Sequence, residues 1–202
     1  MNRHCILTLI PLASVSFAAN AAADSPNLKG AYAFTGTAAC LVSASGFNGR
    51  LQALGIPFSR SFSVEGIRTF DGNGNGTVKG TTVGIVAPPT PGFVPSASSA
   101  DFTFNFTYVV NPDSSWTAAM VPGTYTETIT AGPRAGQTAT VDAIPPVSGV
   151  ISSDGKTLIA AHITPTIETY TFSNGDIEPA ICHRSRVFIK LRGSNNDPDQ
   201  DH

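Results

Sequence analysis

The chain has 202 residues and a formal net charge of −2 at pH 7, and only 13% of its residues are charged. This length favours a single domain with one core. The weak charge gives no electrostatic basis for binding nucleic acid or an anionic membrane. The 19 glycines and 15 prolines, together with many Ser and Thr residues, are instead typical of an all-β protein.

The first 23 residues have the pattern of an export signal. A polar start at residues 2–4 precedes an apolar run over residues 5–19, and small residues at 19–21 or 21–23 offer a cleavage site. The apolar run is too short to be a stable spanning helix, and no second run approaches that length. We therefore predict a cleaved signal peptide over residues 1–23, a secreted or periplasmic bacterial protein, and no membrane span in the mature chain.

Two of the three cysteines, Cys40 and Cys182, remain after the signal is removed. An even pair in an oxidising compartment predicts a disulfide between them. The alternative is two separate buried thiols. A catalytic Cys182 assisted by His183 is disfavoured, because adjacent residues of a strand point to opposite faces.

Short β-rich segments separated by Gly, Pro, Asn and Asp follow one another along the chain. They make about eight to ten strands and no long helix. A proline-rich stretch over residues 87–99 predicts an exposed loop. The segments cover residues 31–42, 59–70, 76–86, 101–110, 116–120, 123–130, 138–144, 147–151, 157–163, 167–172 and 181–191.

The clearest alternation lies in residues 101–110, where aromatic side chains alternate with Thr and Asn. Because alternate residues of a strand share a face, these aromatic rings are predicted to face the interior. There they either line a cavity that binds a ligand or fill a solid core. The four residues are Phe102, Phe104, Phe106 and Tyr108.

Hairpin-length connections predict a single antiparallel meandering β-barrel with long loops over residues 24–192, followed by a disordered polar tail over residues 193–202. In such a barrel the first and last strands pair, and Cys40 would oppose Cys182. However, Cys182 shares its strand face with Arg184 and Arg186, which are expected on the solvated outer face. Either the disulfide lies just outside the ladder or a bulge changes the face. The alternative to an outer-face location is that one of the arginines closes a barrel end by packing over an aromatic ring such as Tyr32.

Asp71, Asn73 and Asn75 match the first half of a calcium-binding loop, in which alternate side-chain oxygens converge on the ion. The twelfth position of that loop requires a bidentate Glu but is Thr82 here, so a Gly/Asn-rich turn between strands is the favoured interpretation. We predict no bound metal and no cofactor. No nucleophile, Walker or dinucleotide motif is found; Ser153 and Lys156 match a serine-acylase spacing but lie in a predicted turn.

His162 and His183, together with Glu127, Asp142 and Glu168, are the remaining residues able to form a polar site. Nothing in their spacing requires one, and structural histidines are the favoured interpretation.

Two stretches resemble a group of secreted bacterial proteins of unknown function. They are the G-x-Y-x-F-x-G opening at residues 30–36 and the TFDG-type turn at residues 69–72. More weakly, Gly30-Ala31-Tyr32 is similar to the G-x-W opening of lipocalins and related calycin barrels. That resemblance implies a lipocalin-like barrel, ligand carriage, and an Arg of the last strand packed on the aromatic ring. The barrel of allene oxide cyclases and dirigent proteins is a comparable analogy of fold.

The favoured function is therefore a non-enzymatic exported barrel that binds a small apolar ligand in its interior. A structural or interaction module with a solid core is the first alternative. A cofactor-free isomerase or cyclase that uses Glu127 with Tyr125 or His162 is the second. An interior volume of about 300 Å³ or more would favour a ligand, and a carboxyl group in that cavity with a raised pKa would favour an enzyme. The oligomeric state is left open.

Overall fold

The computed structural model describes residues 28–87 and 94–193. The predicted signal peptide, residues 88–93 of the predicted proline-rich loop and residues 194–202 of the predicted tail lie outside the described residues. The two described ranges contain no helix, and hence no helix capable of crossing a membrane. Eleven strands account for most of them. The strands are β1 (Lys29–Val42), β2 (Phe58–Asp71), β3 (Asn75–Ala87), β4 (Ser96–Val110), β5 (Ser115–Met120), β6 (Thr126–Ala131), β7 (Thr138–Val141), β8 (Val147–Ile151), β9 (Thr157–His162), β10 (Ile167–Phe172) and β11 (Ile177–Lys190).

All eleven strands belong to one antiparallel sheet, which confirms the predicted all-β fold. Eight of them, in the order β1-β2-β3-β4-β5-β8-β9-β11, form a ring that closes through the pairing of β1 with β11. We call this ring the barrel. The strands follow a simple meander only as far as β5, because β5 pairs with β8 and β4 also pairs with β6.

One side of the barrel wall divides in two. The 15-residue strand β4 pairs with β6 through Ser99–Thr103 and with β5 through Phe106–Val110. Similarly, β11 pairs with β10 near its start and with β9 near its end. Strands β5, β8 and β9 therefore form one half-sheet and β6, β7 and β10 another. No strand pairing joins the two half-sheets within the described residues.

Inward side chains of β1, β2, β4, β5 and β11 fill one end of the barrel with aromatic rings. Phe70 lies at the centre of this aromatic plug, with its ring centroid 5.0 Å from that of Tyr108, 5.3 Å from that of Phe106 and 6.0 Å from that of Trp116. Trp116 itself is fully buried. The opposite end has fewer fully buried rings, and it is the end at which an interior space remains.

The predicted disulfide is present. Cys40 and Cys182 are direct partners in the β1–β11 ladder, with Cα atoms 4.1 Å apart, and both are buried. Their separation of 142 positions corresponds to a stabilisation of about 5 kcal/mol on the chain-entropy model. Because both cysteines face inward, Arg184 and Arg186 face inward too, and the expectation that they lie on the outer face is wrong.

Glycines on the inner face make room for large side chains. A Cβ atom on Gly80 would lie 2.8 Å from the ring of Phe102, and one on Gly36 would lie 2.7 Å from the side chain of Arg186. The missing side chains of Gly80 and Gly36 therefore allow the Phe102 ring and the Arg186 side chain to pack directly against the backbone of the barrel wall.

Candidate ligand-binding site

A cavity of about 310 Å³ occupies the barrel beyond the aromatic plug. Part of its wall is a group of three near-parallel rings. Phe102 and Phe104 from β4, with Tyr125 just before β6, have ring centroids 6.0–6.2 Å apart. Phe102 and Phe104 are only half-buried although they point inward, because they border this space. The volume reaches the lower end of the range typical of small-molecule sites.

The predicted aromatic row divides between two environments. Phe102, Phe104 and Phe106 line the cavity, and Phe106 is also part of the aromatic plug. Tyr108 belongs to the plug alone: its hydroxyl donates a hydrogen bond to the carbonyl oxygen of Leu28 (2.6 Å) and accepts one from the amide of Gly72 (3.1 Å). The inward aromatic residues of β4 therefore border the cavity at Phe102 and belong to the solid aromatic plug at Tyr108.

Two arginines and one glutamate form a charged group at the cavity end away from the plug. Glu178 accepts hydrogen bonds from Arg60 and from Arg134, each at 2.6 Å. The guanidinium of Arg134 lies 3.9 Å from the centroid of the Phe172 ring, and Asp176 pairs with it at 3.2 Å. Both arginines are therefore neutralised by carboxylates.

A buried ion pair lies deeper in the cavity wall. Arg184 binds both carboxylate oxygens of Glu168, and its Nη2 also contacts the hydroxyl of Tyr170 at 3.1 Å. Burial alone would lower the pKa of Arg184, but Tyr170 and Glu168 outweigh it and raise the pKa. Within the described residues Arg184 does not pack over Tyr32; its guanidinium lies 5.9 Å from the centroid of the Phe62 ring.

His162 contacts this ion pair through its Nδ1, which lies 3.3 Å from Nη1 of Arg184. Burial and repulsion by Arg184 lower the pKa of His162 to about 4. The imidazole is therefore neutral at neutral pH and is a member of a structural polar network.

The lowered pKa of His162 predicts acid sensitivity. Below about pH 6.5 the unfolded chain protonates this residue while the folded protein does not, so stability falls as the pH drops from about 6.5 towards 4. After allowance for partial exposure, this loss is about 1–2 kcal/mol. Urea unfolding at both ends of this window should show a smaller loss for His162→Asn than for the wild type. Equal losses in the two proteins would contradict the assignment.

Glu127 lines the cavity next to the three-ring group. The hydroxyl of Tyr125 donates a hydrogen bond to Glu127 Oε2 at 3.1 Å. Burial raises the pKa of Glu127, and the hydrogen bond from Tyr125 together with the nearby positive charges of Arg60 and Arg184 only partly opposes this. The site therefore contains a carboxyl group that gains a proton more readily than an ordinary glutamate.

Arg68 and Arg186 lie near the boundary between the cavity and the plug. The guanidinium of Arg68 is 4.4 Å from the ring centroid of Phe106 and 5.1 Å from that of Phe188. Burial and repulsion by Arg186 lower the pKa of Arg68 to about 9. Nη1 of Arg186 donates to the carbonyl oxygens of Thr37 (2.8 Å) and Ser185 (2.7 Å).

The other polar candidates lie elsewhere. Asp71 stabilises the turn in which it lies, since its Oδ1 accepts hydrogen bonds from the amides of Asn73 (2.7 Å) and Asn75 (2.9 Å). These hydrogen bonds lower the pKa of Asp71. No group of three potential metal ligands occurs in residues 28–87 and 94–193. His183 and Asp142 are exposed and do not join the site.

The inward direction of Arg60 and Arg68 on β2 and the pairing of Arg60 and Arg134 with Glu178 were not predicted from the sequence. A signal was available, because Arg60 and Arg68 alternate in phase with Phe62, Val64 and Phe70, which predicts an inward direction. Glu168 likewise alternates in phase with Tyr170 and Phe172. Charged residues in these positions were not expected to face a core because burying an unpaired charge is costly.

Comparison of the chain with protein-family models, curated proteins and solved structures finds no match.

Proposed function

We propose that this is an exported protein that binds a small, mainly apolar molecule inside its barrel. The observation that carries the proposal is the cavity of about 310 Å³, whose wall includes the half-buried rings of Phe102 and Phe104. Apolar side chains that fill a solid core contact one another on all sides. Here a row of rings borders open space instead, as in sites that bind small molecules.

Export is supported by the disulfide, because such bonds persist in oxidising compartments. The divided wall supports ligand entry. Ile144 and Pro145, on the connection between β7 and β8, line the cavity together with Val147, the first residue of β8. This connection joins the two half-sheets. A displacement of this connection would open a path to the interior without breaking the β1–β11 pairing.

A second candidate function is acid–base catalysis without a cofactor, as in an isomerase or cyclase. It is favoured by Glu127, a cavity carboxyl group with a raised pKa and a tyrosine hydroxyl at 3.1 Å. NMR titration of side-chain carboxyl groups tests its premise. A Glu127 carboxyl that titrates in the ordinary glutamate range would remove the support for this function.

The binding proposal is tested with the neutral apolar fluorophore N-phenyl-1-naphthylamine. We expect the folded wild type to bind the probe, with an increase in its fluorescence. Gly84→Leu should weaken binding about tenfold or more, because Gly84 lines the cavity and a Cβ atom there meets its nearest atom at 3.6 Å, an ordinary contact. The added side chain therefore occupies ligand space with little strain on the wall.

Val83→Leu is the matched control, because Val83 is the neighbour of Gly84 on the same strand and its side chain is exposed. It should bind the probe like the wild type. A wild type that excludes the probe would overturn the proposal. Equal binding by Gly84→Leu and the wild type would place the probe outside the cavity and would also overturn it.

A further inference from the structure

More positively charged than negatively charged side chains surround the cavity. Five arginines line it, whereas the carboxyl groups that line it or pair with these arginines number four within the described residues: Glu127, Glu168, Asp176 and Glu178. Three of the five arginines contact carboxylates: Arg184 contacts Glu168, and Arg60 and Arg134 share Glu178. The remaining two, Arg68 and Arg186, contact none of the described carboxylates.

Arg68 is the less satisfied of these two residues. Its side chain is 8% exposed, and its Nε and Nη1 atoms are buried without a hydrogen-bond partner among the described residues. Three aromatic rings surround the guanidinium, those of Phe106, Trp116 and Phe188. Ring faces attract the positive charge but do not accept the in-plane N–H groups as an oxygen would.

Arg186 adds a second positive charge close to Arg68. Its Nη1 is bound to two carbonyl oxygens of the wall, which are neutral acceptors. Burial, followed by repulsion from Arg184, lowers the pKa of Arg186 to about 10, and Arg186 in turn lowers the pKa of Arg68. Both shifts are the expected result of like charges buried without a counterion.

An unpaired buried guanidinium is costly, and an anion that reached it would form charge-assisted hydrogen bonds in a region of low dielectric. The rest of the cavity offers the three-ring group of Phe102, Phe104 and Tyr125 to an apolar body. The two features lie on the walls of one space.

We infer that the natural ligand is an amphipathic carboxylic acid whose carboxylate binds Arg68, with Arg186 beside it, and whose apolar body lies against the three-ring group. This inference rests on the proposed function and specifies its ligand class. The orphaned Nε and Nη1 of Arg68 are the atoms that the carboxylate would satisfy, either directly or after a small rotation of the guanidinium.

The test compares octanoate with 1-octanol, which have the same chain and different head groups. Each compound is titrated at neutral pH as a competitor of bound N-phenyl-1-naphthylamine, with the wild type, with Arg68→Met and with Lys79→Met. We expect wild type to prefer octanoate by roughly 10- to 100-fold, the range for hydrogen bonds to charged groups. Arg68→Met keeps an apolar stem on the rings and should lose the preference while still binding 1-octanol.

Lys79→Met is the matched control. Lys79 is exposed on β3, and its neighbour Val78 is the register partner of Arg68. The variant removes one positive charge from the outer face of the same wall, and it should keep the preference for octanoate. A preference lost equally in Lys79→Met would mean that net charge attracts the anion, and it would overturn the assignment to Arg68.

The remaining outcomes are distinguishable. If the probe does not bind to the wild type, the proposed function fails and this inference with it. If the probe binds but octanoate does not displace it, the proposed function stands and the inference about the head group fails. If 1-octanol and octanoate compete equally well in the wild type, the proposed function stands and the inference about the head group fails. A preference that persists in Arg68→Met also overturns the inference.

A measurement on the wild type alone covers the case in which Arg68→Met does not fold. The carboxyl carbon of bound octanoate labelled with carbon-13 is followed by NMR as the pH is lowered. Contact with Arg68 should hold the pKa of the bound carboxyl group below its value in water. A bound pKa equal to or above that value would overturn the inference.

Discussion

Replacing Glu168 with glutamine is expected to lower the free energy of unfolding by about 3–5 kcal/mol, because it leaves the charge of Arg184 buried without a counterion. Glu168 is completely buried, Arg184 is 8% exposed, and the two side chains are joined by two hydrogen bonds. Glutamine has nearly the same shape, so the loss reports the missing charge and not a cavity. Urea unfolding near pH 7 measures it.

Glu127→Gln is the matched control, since it removes a carboxyl group from the same cavity region. No arginine is hydrogen-bonded to Glu127 in the described part of the chain, and its pKa is raised by burial. We therefore expect this variant to be as stable as the wild type or slightly more stable. Similar losses in both glutamine variants would show that the Arg184–Glu168 pair is not the source of the effect.

Phe70→Ala is expected to cost about 3–5 kcal/mol, whereas Phe104→Ala should cost only about 1–2 kcal/mol. The two residues have the same side chain and both face inward. Phe70 is 1% exposed and packs edge-to-face against Tyr32, Phe106 and Tyr108, so its removal creates a new void. Phe104 is half-buried beside a cavity that already exists, so its removal only enlarges that cavity.

The difference between the two alanine variants matters more than either value. Both are measured by urea unfolding under the same conditions, without added ligand. If Phe104→Ala costs as much as Phe70→Ala, the three-ring group is part of a solid core, and the binding proposal loses its main support.

Local pattern was enough to predict most of the strands and the aromatic row. Alternation in residues 101–110 correctly identified a strand whose aromatic side chains face inward. The long strands β4 and β11 were predicted too short at their starts, because Ser96, Ser98 and Pro179 are poor strand formers in isolation. Their ladder partners supply the hydrogen bonds that isolated propensity cannot anticipate.

The site was harder to predict than the strands. The direction of Arg184 was misjudged because its counterion Glu168 lies on another strand, and only the β10–β11 pairing brings the two together. The divided wall was not predicted either. It requires β4 and β11 to exchange partners midway, and the choice of pairing partner depends on distant strands that a local pattern does not identify.

The pairing of β1 with β11 has a consequence for how the chain reaches its native state. The barrel cannot close until the last strand is available, since β1 and β11 lie at opposite ends of the described sequence. Contacts of such large sequence separation form slowly, because the loop-closure entropy is lost before the contacts stabilise the fold. Until then β1 has one unpaired edge. Oxidation of Cys40 with Cys182 across this last pairing would make closure difficult to reverse.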